Sequence, residues 1–139
     1  MRGLLREEGL EDAVALDSAG TGDWHVGSPP DERATLAARA RGVTLEGAAR
    51  QIRAADFDDY DLILAADRQN LRDLRAVLPA GAEAKLHLLR EFDPASTAGG
   101  DLDVPDPYYG GDDGFERVLD LVEAACRGLL DALRADGRL

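Results

Sequence analysis

Apolar positions along the chain follow two rhythms, and each predicts a different kind of element. Phe115, Val118, Leu119, Val122, Ala125, Cys126, Leu129, Leu130 and Leu133 recur at the spacing of one helix face, with acids and arginines between them. Leu62-Ile63-Leu64-Ala65-Ala66 is apolar without alternation, the pattern of a parallel strand covered on both faces. Asp67 follows directly and predicts a capped helix that carries Leu71, Leu74 and Leu78 and is closed by Pro79. Leu86-His87-Leu88-Leu89 is a further strand candidate.

The N-terminal third is punctuated more heavily. Arg2 to Glu8 favours helix, with Leu4 and Leu5 on one side and Gly9 where a helix end uses positive φ; it reads as the tail of a helix whose beginning is absent. Val14-Ala15-Leu16-Asp17-Ser18-Ala19 is a short apolar run that enters the turn-rich Gly20-Thr21-Gly22-Asp23, so a strand is expected to run into a loop bearing Trp24 and His25. Ser28-Pro29-Pro30-Asp31-Glu32 combines a capping hydroxyl, prolines and first-turn acids, which predicts a helix from about Pro30 to Arg41 that stops at Gly42. Its apolar side is mostly alanine, suited to close packing. From Asp93 to Asp113 the chain is rich in Gly, Asp and Pro and reads as a long loop.

Strands alternating with helices argue an α/β fold with a doubly wound parallel sheet and right-handed crossovers. Neither an internal repeat nor a linker divides the chain, so residues 1–139 are expected to form a single domain. In such folds the ligand site lies at the carboxyl ends of the strands.

Charge narrows the function classes. The formal charge is −12 and the isoelectric point about 4.4, which disfavours phosphate backbones and anionic lipid as partners; neither nucleic acid nor membrane is expected. The one cysteine, Cys126, can form no internal disulfide and no multi-thiolate metal site, which fits a reducing compartment and predicts a cytoplasmic location. No apolar stretch approaches the roughly 18 residues of a membrane span, and the charged start Met1 to Glu8 is no signal peptide.

The most informative segment for chemistry is Val104-Pro105-Asp106-Pro107-Tyr108-Tyr109-Gly110-Gly111. Proline on both sides restricts the backbone around Asp106, so the loop itself aims the carboxyl. Two aromatic rings follow it. Together with Asp17-Ser18-Ala19-Gly20-Thr21, Trp24-His25-Val26-Gly27, Pro29-Pro30-Asp31, Ala49-Arg50-Gln51, the run from Phe57 to Asp67, and Asn70-Leu71, in this order, the segment resembles the low-molecular-weight protein tyrosine phosphatases over nearly the whole chain. The resemblance implies hydrolysis of phosphotyrosine, on a protein or a small aryl phosphate, through a cysteinyl-phosphate and without metal or cofactor. It implies Asp106 as general acid, and Trp24, Tyr108 and Tyr109 as walls for the substrate ring. A phenolic leaving group has a pKa of about 10, so a placed acid typically contributes roughly 10²- to 10⁴-fold to its departure.

The same resemblance exposes a gap. The family opens with a strand and a Cys-x5-Arg-Ser loop that cradles phosphate at a helix N-terminus, and no Cys-x5-Arg occurs in this sequence. The chain is therefore expected to lack the family's first strand and nucleophile loop, and to be inactive as it stands. Cys126 is no substitute, because it lies on the apolar stripe of the last helix and is directly followed by Arg127. His25 is better placed beside Trp24 but has no phosphate cradle, and His87 reads as a core or edge residue of its strand.

Other features carry less. Asp101, Asp103, Asp106, Asp112 and Asp113 do not follow a calcium-loop spacing and read as a solvated acidic loop, so no metal is expected. Gly47 aligns approximately where many relatives have a histidine that braces the phosphate loop. Arsenate reduction is disfavoured because it needs further thiols.

In the family order 2-1-3-4 the first strand is central. Its loss would leave a slot between Val14–Ala19 and Leu62–Ala66, and the chain alone is expected to be molten or to be held by another chain, including by strand exchange between copies. The alternative function is a phosphatase-like binding module that has lost its nucleophile and kept an aromatic cleft.

Overall fold

The structure, a computed structural model, describes residues 1–22, 26–45, 47–105 and 114–139. Strands β1 (Ile63–Ala65) and β2 (Leu86–Leu88) pair in parallel, with Ile63 opposite Leu86 and Ala65 opposite Leu88. Between them the chain crosses over through the helix α4 (Arg68–Val77), as parallel neighbours require. Helices α1 (Arg2–Glu7), α2 (Glu32–Ala40), α3 (Asp56–Asp59), α5 (Pro94–Gly99) and α6 (Gly114–Ala135) complete the set among the described residues. None of these helices is long and apolar enough to cross a membrane.

The expected strand at Ile63 forms because its residues are buried between helices. Phe57, Ile63, Ala65, Leu74, Leu86 and Leu88 make one buried cluster, with Leu71 and Leu78 packed at its edge. Asp67 caps α4 as its position predicts: its Oδ1 accepts from the Asn70 backbone N–H at 2.7 Å. Leu74, one turn further, then meets the sheet.

Three expectations need correction. Val14–Ala19 is not a strand; the segment is held by side-chain bonds, Arg2 to the Leu16 carbonyl and Arg50 to Asp17, and an isolated parallel bridge between Gly20 and Gln51 follows it. A strand exists by virtue of a neighbour, and none runs beside it. Ser28 does not cap α2. Asp31 does, with Oδ1 accepting from the Ala34 N–H at 3.0 Å: Ser28 and Pro29, each ahead of a proline, are pushed away from helical geometry, and Asp31 is the first residue after them whose side chain can accept from the helix N–H groups. The stretch after Asp93 is not all loop: Asp93 Oδ1 accepts from Ala95 N–H at 3.2 Å, Pro94 opens α5, and Gly100 ends it with φ of +83°.

The last helix is as the apolar stripe predicts, with Ala125, Cys126, Leu129 and Leu130 buried. Cys126 is thus a core residue. The helix is tied to α2 by Arg41, whose guanidinium donates to Glu116 Oε2 and Asp120 Oδ1, each at 2.7 Å. Along another side α6 crosses the 3₁₀ turn Leu89–Phe92 at Gly128, where an added Cβ would overlap the Phe92 carbonyl. Only a residue without a side chain lets the helix approach so closely. Gly128→Ala is therefore expected to destabilise the chain by about 1–3 kcal/mol, read as a lower urea midpoint at unchanged slope; an unaltered midpoint would show that the helix shifts away at no cost.

Candidate active site

Two loops matter for the site expected from sequence, and the structure describes where each begins. The first leaves the fold after Gly20. There the N–H of Gly20 donates to Arg50 O and the N–H of Ile52 donates to Gly20 O, both at 2.8 Å. On the far side of the loop, Gly27 N–H donates to Ala49 O at 2.7 Å and Ala49 N–H to Ser28 O at 2.8 Å. One extended stretch, Ala49 to Ile52, thus holds both ends. Gln51 adds a side-chain bond to Thr21 O at 3.2 Å. Gly47, where relatives were expected to carry histidine, has φ of +97°, a backbone shape that a side chain makes costly.

The second loop leaves along Asp101–Pro105. Val104 N–H donates to Ala66 O at 2.8 Å, which fastens this stem to the carboxyl end of β1. Asp103 accepts from the Arg68 N–H at 2.9 Å and from its guanidinium at 3.2 Å. Buried Arg90 donates to the Asp103 carbonyl and to Ser96 Oγ, and Ser96 Oγ donates in turn to Asp93 Oδ2 at 2.6 Å. Burial alone would push the Asp103 carboxyl up; the backbone and guanidinium bonds from Arg68 outweigh it and hold the group below its ordinary range.

Asp106, Tyr108 and Tyr109 on the second loop, and Trp24 and His25 on the first, lie outside the described residues. The first stem borders a cavity of about 310 Å³, which reaches Thr21 on one wall and Ala66 and Asn70 on the other; the second stem meets it only through Ala66, whose carbonyl accepts from Val104. The cavity's basic residue among the described ones is Arg50, and that guanidinium is committed. Nη1 and Nη2 donate to the two oxygens of Asp56 at 2.9 and 3.1 Å, and Nε donates to Asp17 Oδ2 at 3.1 Å. Asp56 is buried and also accepts from the Arg53 N–H at 2.7 Å. Hydrogen bonding from Arg50, against the cost of burial, holds its carboxyl below the ordinary range. Asp17 is lowered chiefly by the N–H of Ser18, which donates at 2.8 Å.

His87 lies apart from the cavity, with ring nitrogens facing Glu91 Oε2 and Ala84 O. No group of three or more metal-ligating side chains converges among the described residues.

The sequence of residues 1–139 matches the model of the family described as low molecular weight phosphotyrosine protein phosphatase. The chain belongs to this family. A low molecular weight protein-tyrosine-phosphatase of Streptomyces coelicolor is 50% identical over 134 residues, covering 96% of this chain and 81% of that protein. The crystal structure of a protein tyrosine phosphatase from Entamoeba histolytica superposes with a TM-score of 0.89 at 31% identity, over 99% of this chain and 86% of that one. YfkJ of Bacillus subtilis does so with 0.85 at 37% identity, over 97% and 82%. The α/β fold with a parallel sheet flanked by helices is therefore that of the low molecular weight phosphatases. The match to this family's model begins at Met1 and runs to Leu139, and lends no support of its own to an expected N-terminal loss.

Sequence reasoning missed the Arg50–Asp56 pair and the Arg90 and Arg68 anchors. The Arg50 pair also yields a pH prediction. A carboxyl lowered on folding contributes stability that is complete above its unfolded range near about 4 and is lost as pH falls through its folded value. Asp56→Asn is thus expected to cost about 1.5–3 kcal/mol near neutral pH, as for a hydrogen bond to a charged group. The difference from the parent chain should shrink below about pH 4 in acid-unfolding titrations. A difference that stays constant with pH would mean that Asp56 acts by packing alone.

Proposed function

We propose that this domain serves phosphotyrosine hydrolysis, with Asp106 as the general acid and Trp24, Tyr108 and Tyr109 as aromatic walls for the substrate ring. The observation that supports it is that the stem of the first loop lines a cavity that runs along β1 to Ala66, the residue to which the stem of the second loop is bonded through Val104; parallel α/β sheets bind ligands at that carboxyl end. A loop anchored by Arg68 and Arg90 three residues or fewer from Asp106 suits the delivery of a proton.

The chemistry needs no metal or cofactor. A cysteine thiolate attacks phosphorus, the phosphorus–phenolate bond breaks, and Asp106 gives its proton to the departing oxygen. The Asp106 carboxylate then takes a proton from water as that water attacks the phosphocysteine, releasing inorganic phosphate and the thiolate. The substrate class is a phosphotyrosine protein or a small aryl phosphate, met in the cytoplasm.

The sequence holds no Cys-x5-Arg, and the one arginine on the cavity among the described residues is neutralised by Asp56 and Asp17. These two facts favour a second reading for residues 1–139 taken alone: a phosphatase-like binding module, without turnover of its own. Purified 1–139 is expected to hydrolyse no aryl phosphate above background. Turnover that survives Cys126→Ser and requires Asp106 would overturn this and reveal another nucleophile.

With a Cys-x5-Arg-Ser segment from a relative joined ahead of Met1, activity is expected. Asp106→Asn should then reduce phosphotyrosine turnover by roughly two to four powers of ten, with far less loss on an aryl phosphate whose leaving group needs no proton. Equal loss on both substrates would make Asp106 a positioning residue.

A further inference from the structure

Arg90 sits in the 3₁₀ turn that follows β2, and it is buried. The turn is held from two sides. Gly128 of α6 packs against the Phe92 carbonyl, and Thr97 Oγ1 of α5 donates to Glu91 O at 3.3 Å and to Asp93 O at 3.0 Å. Part-way along the Arg90 side chain, Nε donates to Ser96 Oγ at 3.2 Å, and the same hydroxyl donates to Asp93 Oδ2. The guanidinium is thus fixed in direction where it meets the stem of the acid-bearing loop.

Taking a cation out of water is costly, and an apolar side chain of similar volume often serves stability as well or better. Among the described residues the carboxylate paired with Arg90 is that of Asp101, which stands 3.9 Å away and is largely exposed. The closer bonds go to uncharged oxygens, Ser96 Oγ and the Asp103 carbonyl. What an apolar residue could not do here is hold that carbonyl.

The carbonyl belongs to the peptide unit between Asp103 and Val104. Its C=O accepts from Arg90 Nη1, and its N–H, that of Val104, donates to Ala66 O at 2.8 Å. The two groups lie on opposite edges of one rigid plane. A single bond would leave the plane free to turn about it, whereas two bonds, one from the end of β1 and one from the turn after β2, set its orientation. From that plane the sequence runs Val104-Pro105-Asp106-Pro107. Val104 and Asp106 each precede a proline, and proline holds its own φ near about −65°, so few soft torsions remain to absorb a tilt.

We infer that Arg90 is a positioning residue for the general acid: by holding the Asp103 carbonyl it sets the peptide plane from which Asp106 is aimed. The inference rests on Asp106 being that acid, as proposed above. Misplacing a reacting group by about 1 Å can cost about 10²-fold, and in this case the cost falls on reactions that need the proton.

The test uses the full chain joined behind a Cys-x5-Arg-Ser segment from a relative, and reads kcat/KM on phosphotyrosine and on dinitrophenyl phosphate, whose leaving group needs no proton. Arg90→Met is expected to lower the first about 10- to 100-fold and the second less than about threefold. In an Asp106→Asn background the same change should cost less than about twofold on either substrate, because a residue that works through the acid then has nothing to work through. Arg90→Lys keeps the charge but lacks the planar fork that serves Ser96 and the carbonyl together; its loss should be at least about threefold and confined to phosphotyrosine, and it carries the test if Arg90→Met does not fold. Equal losses on both substrates from the folded variant, or a full further loss on top of Asp106→Asn, would make Arg90 a purely structural residue and overturn the inference while leaving Asp106 as the acid. An Asp106→Asn variant that loses equally on both substrates overturns the reading of Asp106, and this inference with it.

Discussion

Every backbone N–H and C=O taken from water must find another partner, and in this fold that requirement converges on β1. The strand is only three residues long, yet both the core and the candidate site are arranged about it. Its β2 side is satisfied by the parallel ladder, and its carboxyl end receives the stem of the acid-bearing loop through Val104 and Ala66. Its remaining edge faces a cavity whose other wall is Asp17 to Thr21. The apolar segment at Val14–Ala19 cannot become a strand from across an open slot, whatever its composition favours. Sheet formation is non-local, and one unpartnered edge is felt two segments away.

Arginines do much of the fastening around that strand. Arg90 and Arg50 serve different loops, but each meets several oxygens at once: Arg90 reaches Ser96 and the Asp103 carbonyl, and Arg50 reaches both oxygens of Asp56 and one of Asp17. The planar guanidinium suits this, since its donors are fixed in direction and little freedom is lost for each bond made. In a strongly acidic chain these pairs also neutralise carboxylates that would otherwise repel one another next to the cavity. The result is a site whose two loop stems are rigidly founded, while the acids beside the cavity are balanced internally.

What could be read from sequence was local. Asp67 before an amphipathic run is a cap in any context, and the stripe from Phe115 to Leu133 is a helix face by spacing alone. The segment around Asp106 is short, specific and contiguous, so it pointed to the family before any fold was known. Asp93-Pro94 was equally local, and its pairing of cap and first-turn proline was legible but masked by the surrounding glycines and acids. The rest depended on residues distant in the chain. Arg41 meets Asp120 across 79 positions, and Arg68 meets Asp103 across 35; no spacing rule anticipates such pairs. Gly128 belongs to the same class, because its role is set by the Phe92 carbonyl that passes it.

The mooring of the first loop has a consequence for how such a site can diversify. Both of its ends are held to the stretch from Ala49 to Ile52 by main-chain bonds, at Gly20 on one side and at Gly27 and Ser28 on the other. Main-chain bonds are indifferent to side-chain identity. A change of side chain at the donors Gly20, Ala49 or Ile52 therefore leaves this mooring in place wherever the backbone keeps its shape, and proline is the one residue that would cut it, because it brings no N–H.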